Sequence, residues 1–171
     1  MTTTVEVGLK ESDLHYLGGV VDSDGSIYVS VEQTHGGIGY RVRPRFRVEM
    51  KDVGTTKEIA DLLVRLAESS DITHNLKRCD GKGTWRFEVA GNQNVVDYLE
   101  LLDSYIRGKR EQVEAVINAP WFYRGECYGM TERERKERFM ELMGVRERVQ
   151  NVNANRESKY DKEYFEKEFD L

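Results

Sequence analysis

Apolar and polar positions change their period several times along the chain. Positions 14–21 are an apolar, glycine-bearing run that Ser12 or Asp13 can cap as a first helix, and it ends at Asp22-Ser23-Asp24-Gly25. Positions 26–33 alternate and are rich in Val, Ile and Tyr, which predicts a strand. The flexible connection His35-Gly36-Gly37-Ile38-Gly39 leads to a longer alternating strand over 40–51. Ile59, Leu62, Leu63 and Leu66 recur at helical spacing and predict a helix over 55–69. Strands over 72–79 and 84–90 flank Asp80-Gly81-Lys82-Gly83 as a second hairpin. Val95, Val96, Leu99 and Leu102 predict a helix over 94–106, and another runs over 109–118, before Pro120. Thr131, with Glu134 three residues on, can cap a charged helix over 131–150, and a short helix follows over 159–169.

The order α-ββ-α-ββ-α, with a helical tail, predicts an α+β fold: one antiparallel four-stranded sheet with helices on one face. No repeat and no low-complexity linker divides the chain. A single domain over 1–171 is expected, with a core at about 12–119 and a helical tail at about 120–171.

The strand over 40–51 contains Arg41-Val42-Arg43-Pro44-Arg45-Phe46-Arg47-Val48. Alternation puts four arginines on one face and Val42, Pro44, Phe46 and Val48 on the other. Tyr28, Ser30 and Glu32 oppose Ile27, Val29 and Val31 in the same way, and Thr84, Arg86 and Glu88 oppose Trp85, Phe87 and Val89. A solvated outer face accounts for one such strand. Four arginines in a row repel each other unless they share an anion, which favours contact with nucleic acid. Arginine forks suit guanine edges and phosphates, and a β-ribbon fits the major groove.

The net charge of −5 over 171 residues argues against that reading only if charge is spread evenly. It is not. Of 26 basic and 31 acidic residues, nine basic and four acidic ones fall in 26–51 and 73–88, leaving 17 and 27 elsewhere. A basic surface on an acidic body is expected. With 39% hydrophobic and 33% charged residues, the composition is globular. No apolar run is long enough to span a bilayer, and positions 1–10 resemble neither a signal nor a transit peptide. Two cysteines, Cys79 and Cys127, make neither a disulfide framework nor a four-ligand zinc site. An intracellular protein without a membrane partner is expected, in the cytoplasm or nucleoid, or in an organelle if organelle-encoded. His15, His74 and Cys79 read as structural residues.

Positions 17–25, Leu-Gly-Gly-Val-Val-Asp-Ser-Asp-Gly, describe a helix with two glycines that ends in two acids. Helical glycine costs about 1 kcal/mol against alanine, and close approach of another backbone recovers it. Acids at a helix C-terminus oppose the dipole, so a cation is expected to offset them. Asp-Ser-Asp-Gly is equally good turn chemistry, and on its own the segment fits a turn and a metal site equally well.

The same nine residues resemble the motif of the LAGLIDADG homing endonucleases, matching at Leu17, Gly19, Asp22, Asp24 and Gly25, with Val20 and Val21 for Leu and Ile, and Gly18 and Ser23 for Ala. The strand that follows, the arginine hairpin and the element order extend the resemblance over nearly the whole chain. It implies the αββαββα fold of that family, with a saddle-shaped sheet. Only one motif copy is present, which implies a homodimer with Leu14, Leu17, Gly18, Gly19 and Asp22 at the interface. The resemblance also implies hydrolysis of both strands of a long pseudo-palindromic DNA site with Mg²⁺, short 3′ overhangs and intron mobility; Mn²⁺ or Ca²⁺ can substitute for binding. Asp24 is then the metal carboxylate, with the Ser23 carbonyl as a backbone ligand, and Asp22 caps a helix end. Lys109, in the segment 106–112, matches the family's basic residue that lies beyond the second hairpin and before a following helix. Met50-Lys51 stands where the family often carries Gln-Lys to organise solvent; methionine cannot hold that water, and Lys51 is left as a phosphate contact near the site. The implied DNA-reading positions are Tyr28, Ser30, Glu32, Arg41, Arg43, Arg45, Arg47, Asn75, Lys77, Thr84 and Arg86, with Gln33, Thr34 and His35 at the outer base pairs. The alternative is a non-cutting nucleic-acid-binding protein of the same fold, an intron RNA maturase or a repressor.

Overall fold

A computed structural model describes residues 9–79, 81–123, 125–151 and 160–170 of the chain. Its elements are α1 (Glu11–Asp24), β1 (Gly25–Gln33), β2 (Tyr40–Lys51), α2 (Thr56–Glu68), β3 (His74–Cys79), β4 (Thr84–Ala90), α3 (Asn92–Leu102), α4 (Arg110–Ile117), a 3-10 turn (Glu126–Gly129), α5 (Glu132–Asn151) and α6 (Lys162–Glu168). The strands form one antiparallel sheet in the order β1-β2-β4-β3, so the second strand of each hairpin is central. The fold class is the expected α+β arrangement.

The two-residue period builds the layers. Ile27, Val29, Val42, Phe46, Val48, Phe87 and Val89 are buried on the helix side of the sheet. The helices answer with Leu17 and Val21 of α1, Leu63 and Leu66 of α2, and Val95 and Leu99 of α3. Each large apolar side chain buried this way contributes about 1.5–3 kcal/mol. Tyr98 is fully buried and donates its hydroxyl to the Leu63 carbonyl at 3.1 Å, which satisfies its polar end.

The helices after residue 120 enter the same core. Phe139, Leu142 and Met143 of α5 and Phe165 of α6 are buried with the rest. Buried Gln112 of α4 donates to the Val149 carbonyl at 3.1 Å, which ties α4 to α5. Tyr40, at the start of β2, meets the ring of Phe165 at 4.9 Å.

Several expected boundaries shift for local reasons. Neither Ser12 nor Asp13 caps α1. The cap position is Lys10, with extended backbone, and Asp13 sits inside the helix, accepting the Lys10 main-chain N–H at 3.0 Å. α3 starts at Asn92 because Gly91, at φ +100°, turns the chain out of β4. It ends at Leu102, whose carbonyl accepts the N–H groups of both Tyr105 and Ile106. The 3-10 turn carries no apolar period that would reveal it. Thr131 and Glu134 form the expected reciprocal cap of α5, at 2.7 and 3.3 Å. The expected start of the last helix at 159 lies outside the described residues, as does Asp80 in the second hairpin; α6 is capped by Asp161, which accepts from the Tyr164 N–H at 2.8 Å.

Candidate nucleic-acid interface and carboxylate site

α1 passes into β1 without a loop. Gly25 makes this possible: a Cβ there would lie 2.5 Å from the Val21 carbonyl oxygen. Asp24 is therefore the last helical residue, and it is exposed at the corner. Among the described residues it has no ion-pair partner; the Ser23 hydroxyl donates to its Oδ2 at 3.1 Å. Gly25 registers with Val48, so Glu49, Met50 and Lys51 run past the start of β1 at this end of the sheet.

Asp22, two residues earlier, is fully engaged. Its carboxylate accepts the main-chain N–H of Arg107 at 3.0 Å and that of Lys109 at 3.0 Å. Burial pushes its pKa up, but the N–H groups of Gly108, Arg107 and Lys109 and the Lys109 charge outweigh this and hold it below the ordinary value. Lys109 in turn donates its ammonium to the Val21 carbonyl at 2.7 Å and to the Asp22 carbonyl. Burial lowers the Lys109 pKa against the opposing pull of Asp22 and Asp24. The cation expected at this acidic helix end is thus, for Asp22, a lysine of the same chain.

The two motif glycines differ. A Cβ on Gly18 would lie 2.3 Å from the Tyr105 carbonyl oxygen, whereas a Cβ on Gly19 would meet nothing within 4 Å. Gly18 is therefore packed closely against its own chain. Leu17, at 0% exposure, and Asp22, with its carboxylate on the 107–109 segment, are likewise committed within the chain. Of the five positions expected at a dimer interface, Gly19 is exposed and Leu14 and Asp22 are half-buried in the single chain.

The face of the sheet away from the helices carries the arginines. Arg41 donates to Glu32 at 2.8 Å, Arg45 pairs with both Glu32 and Glu88, and Arg47 pairs with Glu88 at 3.1 Å. Arg86 donates to Glu49 at 2.8 Å, and Thr84 lies 3.4 Å from the same carboxylate. The repulsion expected along β2 is relieved by two glutamates, Glu32 and Glu88, each of which serves two guanidiniums, while Glu49 of β2 pairs with Arg86 of β4. Burial raises the Glu32 pKa, but its bonds to Arg45 and Arg41 leave it lowered overall; at Glu49 the Arg86 bond is the leading cause of lowering. Among the described residues Arg43 has no carboxylate partner, and burial, then Arg41, depresses its pKa. The Arg47 guanidinium also lies over the Tyr28 ring, 5.5 Å from its centroid.

Tyr28, Ser30, Asn75, Lys77 and Lys51 share this face through the register. Gln33 and His35 are exposed at the hairpin end, and Thr34 bonds the Gly36 carbonyl at 2.9 Å. Met50 is not part of the face. It is 8% exposed among the helix-side residues, because it shares the parity of Val42, Phe46 and Val48. Its thioether is a core group and not a replacement for a solvent-holding amide. Glu49, not named among the expected site residues, reaches the polar face by plain strand alternation and pairs there with Arg86. Its alternation with Arg47 and Lys51 was the signal.

Among the described residues no cluster of three His, Cys, Asp or Glu side chains can hold a metal, and no helix is long and apolar enough to cross a membrane. What one chain offers a cation is the unpaired Asp24 carboxylate with neighbouring oxygens, a donor set that suits a hard divalent ion and is incomplete without further ligands.

The sequence profile described as "LAGLIDADG endonuclease" matches residues 17–113. No curated protein matches the chain. Among solved structures, the homing endonuclease I-CvuI, crystallised on a DNA target with Mg, is similar at a TM-score of 0.69 and 18% identity, with 94% of this chain and 96% of that one covered. The archaeal intron-encoded homing endonuclease I-Vdi141I, complexed with DNA, gives 0.68 and 17%, with the same coverage. The group I intron-encoded I-CeuI, also on DNA, gives 0.66 and 12%, covering 90% of this chain and 72% of that one. At these identities the likeness is one of fold.

Proposed function

The chain belongs to the LAGLIDADG endonuclease family, and from that premise we propose that it is a sequence-specific, Mg²⁺-dependent endonuclease that cuts both strands of a long pseudo-palindromic DNA site as a homodimer, leaves short 3′ overhangs and promotes intron mobility. The observation that carries the proposal is an exposed carboxylate, Asp24, without an ion-pair partner among the described residues, at one end of a sheet face lined with arginines.

In this reading β1–β2 and β3–β4 lie along the major groove. The guanidiniums of Arg41, Arg43, Arg45, Arg47 and Arg86 contact guanine edges and phosphates; Tyr28, Ser30, Glu32, Gln33, Thr34, Asn75, Lys77 and Thr84 complete the reading surface. Leu14 and Gly19 of two copies meet, which brings two Asp24 residues near the dimer axis. Asp24 and the Ser23 carbonyl would hold Mg²⁺, which would supply Lewis-acid chemistry for activating water and stabilising the departing 3′ oxygen. Lys109 holds a positive charge beside that carboxylate, where charge builds on the scissile phosphate. Lys51 contacts phosphate at the same end of the sheet.

A second reading, a non-cutting nucleic-acid-binding protein, is favoured by one observation: Met50 offers no polar group to solvent at the site. The two readings separate in one experiment. Duplexes are selected from a random library in Ca²⁺, and Mg²⁺ is then added to the winner with wild type and with Asp24→Asn. A pseudo-palindromic winner cut only by wild type supports the endonuclease. A winner bound tightly and left intact by both supports the binding protein.

A further inference from the structure

Asp22 grips Lys109 from both ends. The Asp22 carboxylate accepts the Lys109 main-chain N–H at 3.0 Å, and the Asp22 carbonyl accepts the Lys109 ammonium. A second carboxylate oxygen takes the Arg107 N–H at 3.0 Å, so the segment before α4 is bound at two points to the last turn of α1. Gly108 lies between them, with the place of its missing Cβ 3.3 Å from Asp22 Oδ1. Four residues before Lys109, the Tyr105 carbonyl rests in the space left by Gly18. The turn of helix that ends in Asp24 therefore also holds the segment that carries Lys109.

We infer that Asp22 is a positioning residue for Lys109: by binding the main chain at 107 and 109 it fixes the lysine ammonium at the C-terminal end of α1, beside Asp24. This rests on the proposed function for its consequence, the placement of a cation at the phosphate to be cut. It does not rest on it for the placement itself. An aspartate at the end of a helix is unfavourable against the dipole, and its retention there is explained by what it holds. A purely structural carboxylate would stabilise the 107–109 turn without any particular effect on the lysine side chain. A positioning carboxylate has one.

Two measurements test this. The first is competitive acylation of lysines in the folded protein, read by mass spectrometry, with wild type and Asp22→Asn compared at one pH. Asparagine leaves one acceptor and removes the two-point grip. A severalfold rise in Lys109 labelling relative to the other lysines is expected. Labelling of Lys109 at the wild-type rate overturns the inference, and so does a uniform rise across all lysines, which marks loosening of the whole fold.

The second is cleavage of a selected duplex in Mg²⁺ by wild type, Asp22→Asn, Lys109→Ala and the double variant. The expected result is a single-turnover rate at least tenfold lower in Asp22→Asn, affinity for the duplex in Ca²⁺ within twofold of wild type, and a double variant no slower than Lys109→Ala. Additive losses, or loss of DNA affinity in Asp22→Asn, overturn it. If wild type cuts no selected duplex, the proposed function fails, and the labelling result alone decides on the positioning.

Discussion

Arg45 donates to Glu32 diagonally across the first hairpin: the register partner of Glu32 is Arg41, and that of Arg45 is Tyr28. One glutamate therefore serves two arginines of β2, and Glu88 does the same for Arg45 and Arg47 from the other side. The free protein presents guanidiniums already oriented by carboxylates, so an incoming phosphate must compete with those carboxylates. Glu32→Gln is expected to tighten binding to random duplex severalfold and to steepen the salt dependence by roughly one unit of log–log slope. Fluorescence anisotropy at several salt concentrations measures both, and an unchanged slope would contradict this account.

Two carboxylates of this face, Glu32 and Glu49, make stability depend on pH. Glu32 and Glu49 titrate below their ordinary values in the folded chain, so the unfolded chain binds protons first as pH falls. Their contribution is complete above the unfolded glutamate value of about 4.3 and is lost as pH drops through the lower, folded values. The double variant Glu32→Gln/Glu49→Gln should show a shallower fall in melting temperature between about pH 5 and 3 than wild type, followed by circular dichroism.

Among the described residues Arg43 differs from its neighbours in forming no salt bridge with an acid. Arg43→Ala should weaken binding to the selected duplex by about 1–3 kcal/mol. Folding stability should stay within about 0.5 kcal/mol of wild type, since no ion pair is broken. A loss of the same size on random DNA would make Arg43 a phosphate contact.

The paired motif glycines should respond in opposite ways. Gly18→Ala forces a methyl against the Tyr105 carbonyl and should destabilise the fold by about 1–3 kcal/mol. Gly19→Ala enters open space on the same helix and should stabilise an isolated chain by up to about 1 kcal/mol. Gly19→Leu should lower the mass measured by light scattering to that of one chain while leaving the fold intact. A retained dimer mass would remove Gly19 from the interface.

Met50→Gln puts an amide among the helix-side residues of the sheet and should destabilise by about 1–3 kcal/mol, against less than about 1.5 kcal/mol for Met50→Leu. Urea unfolding distinguishes the two. Equal costs would mean that the side chain at position 50 reaches solvent after all.

What could be read in the sequence was local. The two-residue period along 40–51 placed Arg41, Arg43, Arg45 and Arg47 on one face, because strand alternation needs only neighbouring residues. Carried two residues further, the same period runs Met50 inward and Glu49 outward, but the motif resemblance drew Met50 toward the site against that simpler signal. The different fates of Gly18 and Gly19 were hidden, because the atom that tells them apart belongs to Tyr105. Asp22 was hidden in the same way: its donors lie 85 and 87 residues downstream. Lys10 as the cap of α1 escaped notice since its backbone, and not its side chain, makes the cap.

Tyr40 opens β2, and its hydroxyl lies 3.4 Å from that of Tyr164, 124 residues later, beside a ring cluster in which Phe139 and Phe165 meet at 4.7 Å. Hairpin pairing closes over a few residues, but this clasp closes over most of the chain, and the entropy of so long a loop delays it. During synthesis β1 and β2 emerge and can pair well before the aromatic rings that support their turn exist. The turn end of the hairpin is then a hydrophobic surface awaiting its cover, and a nascent chain halted before α6 would display it to chaperones and to other copies.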